Sequence, residues 1–185
     1  MNMHKWLLTN FDASCLYVRD RSWFILALTI SQAVYTNTPS ANGLVTDYRE
    51  WQIPLGRRFR SLKIWFVLRS YGAAGLREYI RKTTQYGEDF AGWVRGRGDL
   101  FEVVSGPSFA LTVFRVVGGD EGERNERTRL LYDKVNETGK MWVTSTVLEG
   151  RFAIRMVTSV RTTGREDVER AFGMFVEFAE GIAKR

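Results

Sequence analysis

The run from Trp51 to Trp65, Trp-Gln-Ile-Pro-Leu-Gly-Arg-Arg-Phe-Arg-Ser-Leu-Lys-Ile-Trp, divides the chain: residues before it read as irregular segments, residues after it as regular elements. Pro54 has no N–H to donate and fixes its own φ, while Gly56 permits a sharp change of direction. Gln52 to Gly56 is therefore predicted to be a bend that feeds a helix. Beyond it Leu62, Trp65, Phe66, Val67 and Leu68 recur at helical spacing. Arg57, Arg58 and Arg60 crowd the bend and the first turn, where the positive end of the helix dipole disfavours cations. They need anionic partners, either acidic side chains elsewhere in the chain or a bound anion such as phosphate. The guanidinium fork suits both.

From Ser61 the pattern predicts a helix to about Ser70, an interruption at Gly72 and Gly75, and a second helix from about Leu76 to Val94. Its apolar face carries Leu76, Tyr79, Ile80, Phe90, Trp93 and Val94. Gly96 and Gly98 end it. Phe101 to Val104 and Phe109 to Val117 read as two strands about a Gly106-Pro107 turn. Gly118 to Asn125 reads as a charged loop, with Asn125 capping a helix that runs to about Asn136, ends at Gly139 and turns Leu131 and Val135 to a sheet. Trp142 to Leu148 and Phe152 to Ser159 alternate across Glu149-Gly150, a second hairpin. Thr163 and Glu166 have capping-box spacing ahead of a helix whose stripe is Val168, Ala171, Phe172, Phe175, Ala179 and Ile182. Residues 57–185 thus read as an α+β sandwich, helices on one face of a small, mainly antiparallel sheet.

The start of the chain is different. Trp6, Leu7 and Leu8 are large and apolar close to the terminus, and Cys15 to Val18 alternate as a strand would, with no strand upstream to pair with. The segment reads as one that begins in the middle of a fold. Arg19-Asp20-Arg21 and the apolar patch Trp23 to Ile30 lead into the polar tract Tyr35 to Gly43, a predicted mobile loop of the kind that carries function. At 185 residues the chain is one ordinary domain, or a small domain plus a fragment. With 44% hydrophobic residues and six tryptophans it is too apolar for a disordered tail.

Several classes are disfavoured. Lys and Arg outnumber Asp and Glu by 27 to 21, but the signs are interspersed with no block of like charge, a weak pattern for nucleic-acid binding. Cys15 is the single cysteine, so no internal disulfide or thiolate metal cluster can form, and a reducing, cytoplasmic setting is expected. Trp23 to Val34 is too short and too polar to span a bilayer. His4 is the single histidine, which excludes a multi-histidine metal site. The glycines at Gly96, Gly98, Gly118 and Gly119 lack the spacing of a phosphate-binding loop.

The opening Asn2-Met3-His4-Lys5-Trp6-Leu7-Leu8, followed by Asn10-Phe11-Asp12, resembles the Asn-Pro-His-Lys-Trp motif of the pyridoxal-phosphate-dependent group II amino-acid decarboxylases. The resemblance is in particular to those acting on aromatic L-amino acids (dopa, tyrosine, tryptophan). It extends through Tyr17-Val18-Arg19-Asp20-Arg21, Gly43-Leu44-Val45-Thr46-Asp47-Tyr48 and the Trp51–Trp65 run, and more loosely through the strands and last helix. By itself a lysine at position 5 reads as a solvated charge. The resemblance implies that Lys5 carries pyridoxal 5'-phosphate covalently, that Asn2 and His4 lie at the cofactor's phosphate side, and that Tyr35, otherwise an ordinary tyrosine, protonates the substrate carbon after CO2 leaves. Met3 departs from the motif's proline, and the loop between Tyr35 and Gly43 is slightly shorter than is common in the family.

The fold so implied is α/β, of the fold-type I PLP-dependent transferase superfamily. Residues 1–50 would be the end of the large cofactor-binding domain with its catalytic loop, and residues 51–185 the α+β C-terminal small domain. The implied partners are an aromatic L-amino acid and, at full length, a second copy of the chain, with no nucleic acid and no membrane. The motif's other cofactor-binding groups, a ring-stacking histidine and an aspartate for the pyridine nitrogen, lie upstream of the lysine in that family. Two alternatives stand beside this reading: a non-catalytic interaction module or pseudoenzyme fragment, and a basic anion- or nucleic-acid-binding domain using Arg57, Arg58 and Arg60.

Overall fold

A computed structural model describes residues 1–28, 48–52, 56 and 58–183. They form two compact units, Met1–Gly72 and Ala73–Arg185. No described helix is long and apolar enough to cross a membrane.

In the first unit, residues 1–15 form a closed loop with an isolated antiparallel bridge between Asn2 and Ser14. The expected strand over Cys15 to Val18 does not form. Leu16, Tyr17 and Val18 are exposed, and the alternation of side chains has no neighbouring strand to act on. Helix α1, Arg21–Leu28, was not expected. Its signal was in the sequence: Asp20 is an N-cap, its carboxylate accepting from the Ser22 N–H at 2.8 Å and the Ser22 hydroxyl at 2.7 Å. None of its residues is buried. A 3-10 turn, Tyr48–Trp51, touches α1 and sets the Tyr48 and Trp51 rings edge to face at 5.5 Å.

Helix α2, Arg60–Gly96, is continuous through Gly75 but leaves helical geometry at Gly72 (φ 62°, ψ 175°). One of the two expected interruptions is therefore present. Gly75 keeps the i→i−4 ladder, whereas Gly72 takes a backbone conformation that side-chain-bearing residues avoid. Leu62, Trp65, Phe66 and Leu68 in the first stretch are exposed, whereas Leu76, Tyr79, Phe90 and Val94 in the second are buried.

The second unit holds a four-stranded antiparallel sheet of order β1-β2-β4-β3, with β1 at Phe101–Ser108, β2 at Leu111–Val116, β3 at Thr144–Leu148 and β4 at Arg151–Val157. Helix α3, Glu121–Glu137, links the two hairpins, and α4, Arg165–Ala183, follows β4. Phe101 and Val103, Phe114 and Val116, Ile154 and Met156 share one sheet face, in the register Phe101↔Val116, Val103↔Phe114 and Phe114↔Ile154. Against them pack Phe90 and Val94 of α2, Leu131 and Val135 of α3, and Val168, Phe175 and Ile182 of α4. Phe114 is the hub, with ring contacts to Phe90 at 5.5 Å, Phe101 at 5.6 Å and Phe175 at 5.0 Å, each geometry edge to face. The expected sandwich and the stripes on α3 and α4 are present.

Three local readings are corrected. The first hairpin turns at Phe109 and Ala110, not at Gly106-Pro107, which lies inside β1 within the register shift between Ser105 and Ser108. An edge strand tolerates a proline that donates nothing to the ladder. Phe109 is held at φ 55° because the Ala110 carbonyl accepts from the Thr158 N–H at 3.0 Å and the turn seats against Gly87. The second correction is the α3 cap. Asp120 accepts from the Glu123 N–H at 3.0 Å and the Glu123 carboxylate from the Asp120 N–H at 3.1 Å, so the capping box starts five residues before Asn125. Asn125 instead clamps the β3–β4 turn, accepting from the Phe152 N–H at 2.7 Å and donating to the Gly150 carbonyl at 3.0 Å. Third, α4 is capped through Asp167, which accepts from the Gly164 N–H at 2.9 Å, rather than by Thr163 and Glu166. The Glu149-Gly150 turn is where expected, with both residues at positive φ as a type I′ turn requires.

Candidate active site

The predicted site residues Asn2, His4 and Lys5 lie on one turn, in which the Lys5 N–H donates to the Asn2 carbonyl at 3.3 Å. The turn belongs to a loop pinned along its length. The terminal amine donates to the Cys15 carbonyl at 2.7 Å and the Cys15 N–H to the Met1 carbonyl at 2.8 Å. Higher up, the Thr9 N–H reaches the Met3 carbonyl at 3.2 Å and the His4 N–H the Ala13 carbonyl at 3.1 Å. Met3, Thr9 and Ala13 are buried inside the loop. The methionine that departs from the motif's proline thus supplies the loop's small core.

This packing faces the polar groups outward. The Asn2 carboxamide oxygen accepts from the Ser14 hydroxyl at 2.6 Å, which leaves the amide N–H groups of Asn2 as donors without a partner among the described residues. His4 is held by Nδ1, 2.7 Å from the Ala13 carbonyl oxygen and 3.0 Å from the Ala13 nitrogen, and by the Phe11 ring edge at 4.9 Å. Which of the two Ala13 contacts is a hydrogen bond depends on the tautomer. In either case Nε2 has no partner among the described residues. The Lys5 side chain is exposed, and its ammonium has no hydrogen bond or ion pair among the described residues. An amine nucleophile, amide donors and an imidazole nitrogen on one turn are a donor set that suits an aldehyde bearing an anionic group. Tyr35 lies outside the described residues.

Two of the three arginines of the bend have the acidic partner that the ion-pair reading requires. Arg60 grips Asp12 with Nε at 3.2 Å from Oδ1 and Nη2 at 3.3 Å from Oδ2, and Arg58 Nη1 stands 3.8 Å from Oδ1. The Arg60 hydrogen bond, with smaller help from the backbone, holds the Asp12 carboxyl below the ordinary aspartate range. Arg57 lies outside the described residues. One turn along α2, the Lys63 ammonium donates to the Asn10 carbonyl at 2.9 Å. Sequence reasoning named these cations but not their partners. The signal available was Asp12 itself, an acidic residue in the motif with no other role assigned. A hollow of about 320 Å³ in the second unit, lined by Trp142, Arg155, Met156 and Asp167 among others, contains none of the predicted site residues.

Residues 1–117 match the family model described as the pyridoxal-dependent decarboxylase conserved domain. The chain belongs to the pyridoxal-dependent decarboxylase family. Phenylacetaldehyde synthase of Arabidopsis thaliana is 42% identical over 181 residues, which cover 97% of this chain and 37% of that protein. Tryptophan decarboxylase 2 of Oryza sativa subsp. japonica is 43% identical over 185 residues, covering 98% and 37%. The crystal structure of Oryza sativa TDC with PLP and tryptamine superposes with a TM-score of 0.90 at 38% identity, over 98% of this chain and 38% of that one. This chain therefore spans little more than a third of the length of the relatives it matches. The likeness bears out the expected α/β fold-type I class, with this chain supplying only part of such a fold.

Proposed function

We propose that this chain is part of a carboxy-lyase that converts an aromatic L-amino acid to its amine and CO2 with pyridoxal 5'-phosphate. The observation that carries the reading is the exposed Lys5 amine, without a partner among the described residues, on a turn held by backbone hydrogen bonds, within the stretch that matches the family. Bound there, the cofactor supplies an electron sink for the pair of electrons left when CO2 departs. Lys5 would hold the cofactor through its Nζ, the one amine nucleophile of the turn. The amide N–H groups of Asn2 and Nε2 of His4 bind at its phosphate side. The Tyr35 hydroxyl delivers a proton to the substrate carbon that lost its carboxylate, which favours an amine over an oxygen-derived aldehyde. The chain acts as a homodimer at full length, in the cytoplasm, without nucleic acid or membrane.

The test is to fuse the 185-residue chain behind the upstream part of the rice tryptophan decarboxylase and assay amine formation from dopa, tyrosine and tryptophan. The fusion should form an amine, its Lys5→Ala variant none, and the 185-residue chain alone none. Amine from Lys5→Ala would sink the assignment, and a folded fusion that loads no cofactor would favour the non-catalytic module. Salt-sensitive DNA binding by the chain, abolished by changing Arg58, would favour the basic-domain reading.

A further inference from the structure

We propose that Asp12 and Arg60 are positioning residues for Lys5, mounting the loop that bears it on the first turns of α2. The role rests on the reading of Lys5 as the cofactor lysine. Three consecutive residues of the loop's return limb divide the work. Phe11 sets its ring edge against His4 at 4.9 Å, and Ala13 meets His4 through both backbone groups. Between them Asp12 points the other way and takes the two-point grip of Arg60. Asn10, two residues before Asp12, receives Lys63 at its carbonyl. Arg60 and Lys63 are three residues apart, so they leave the same side of the helix and hold two points on one limb. Lys5 follows His4 directly and bonds back to Asn2, so the path from the helix to the reactive amine runs through Asp12, the return limb and His4.

The pair is half-exposed, with Asp12 at 38% and Arg60 at 40%, so its contribution to overall stability is small. Its effect is on orientation. Among the described residues the limb's other hydrogen bonds lie within its own loop, with Arg58 adding a longer ion pair to Asp12 at 3.8 Å; the α2 anchors fix it against a regular element, which limits how far the Lys5 turn can swing.

The first arm of the test is amide hydrogen exchange on the 185-residue chain. In Asp12→Asn and in Arg60→Lys the amides of His4, Thr9 and Cys15 should exchange about two- to fivefold faster, the range an exposed ion pair supports. Amides of α3 and α4 should be unchanged, and Asp12→Glu should recover part of the protection. Unchanged exchange at His4 and Thr9 overturns the proposal. The second arm uses the fusion above at saturating cofactor, with borohydride reduction to fix the pyridoxal group and peptide mass analysis to find which lysine carries it. Asp12→Asn should lower the label at Lys5, and Asp12→Glu should restore part of it. An undiminished label at Lys5 in Asp12→Asn overturns positioning while leaving the cofactor lysine intact. A label absent from Lys5 in the unmutated fusion removes the reading of Lys5 itself, whatever the exchange data show.

Discussion

Gly87 and Gly92 sit on the same stretch of α2, and replacing each with alanine should shift stability in opposite directions. Alanine is about 1 kcal/mol better than glycine inside a helix, so both substitutions start from the same favourable term. At Gly92 a Cβ meets nothing within 4 Å, and the position is exposed. Gly92→Ala should therefore gain up to about 1 kcal/mol. At Gly87 the added carbon would stand 2.6 Å from the Phe109 carbonyl oxygen and 3.0 Å from Ala110 Cα, both backbone atoms of the β1–β2 turn. They cannot step aside as a flexible side chain would. That turn is fixed from its other side by Thr158, and the Thr112 hydroxyl donates to the Gly87 carbonyl at 3.4 Å. Overpacking costs about 1–3 kcal/mol, and because backbone must move here the upper part of that range, about 2–3 kcal/mol, applies, which exceeds the propensity gain. A net loss of about 1–2 kcal/mol corresponds to a drop in Tm of roughly 4–15 °C for a unit of this size. Thermal melts of the two variants followed by circular dichroism would decide it. A Gly87→Ala chain as stable as the unmutated one would mean that the helix and the turn do not approach as described, and the account of why the hairpin turns at Phe109 would fail with it.

Three further outcomes are expected from the structure and the proposed chemistry. Asn125→Ala should cost about 1–3 kcal/mol by leaving the Phe152 N–H and the Gly150 carbonyl without their partner, seen as a lowered denaturation midpoint with exchange raised first in the β3–β4 turn. In the fusion, Tyr35→Phe should keep the cofactor on Lys5 but lose most amine formation, with aldehyde increasing; amine at the unmutated rate would reduce Tyr35 to a packed loop residue. The isolated chain should self-associate at micromolar concentration, because Trp23, Leu26, Leu62, Trp65 and Phe66 of the first unit are exposed; a monodisperse monomer by light scattering would contradict this.

Much of the fold was legible because it follows from periodicity. The stripes of α3 and α4, the break at Gly72 and the Glu149-Gly150 turn each rest on residues close in sequence, whose spacing or backbone freedom sets the local geometry. The Asn2, His4 and Lys5 turn was legible for another reason: its residues are contiguous, so a motif places them together whatever the rest does. Helix α1 was missed although Asp20 signalled it, because a helix with no buried side chain leaves no apolar stripe to read.

Tertiary structure decided the remainder. Gly106-Pro107 has the stronger turn chemistry, yet the hairpin turns two residues later because the seat at Gly87 and the Thr158 bond hold Phe109 and Ala110 there. Asn125 could cap a helix as well as Asp120 can, and loses that role because the β3–β4 turn, 25 residues away in sequence, comes within reach of its amide. The arginines of the bend required an anion, which the sequence could state but not name. Asp12 became that anion because folding brings it, 48 residues upstream of Arg60, onto the first turn of α2. A short-range preference is written in the residues that express it. Which of several competing preferences prevails depends on contacts between residues distant in sequence, and those form only when the chain closes on itself.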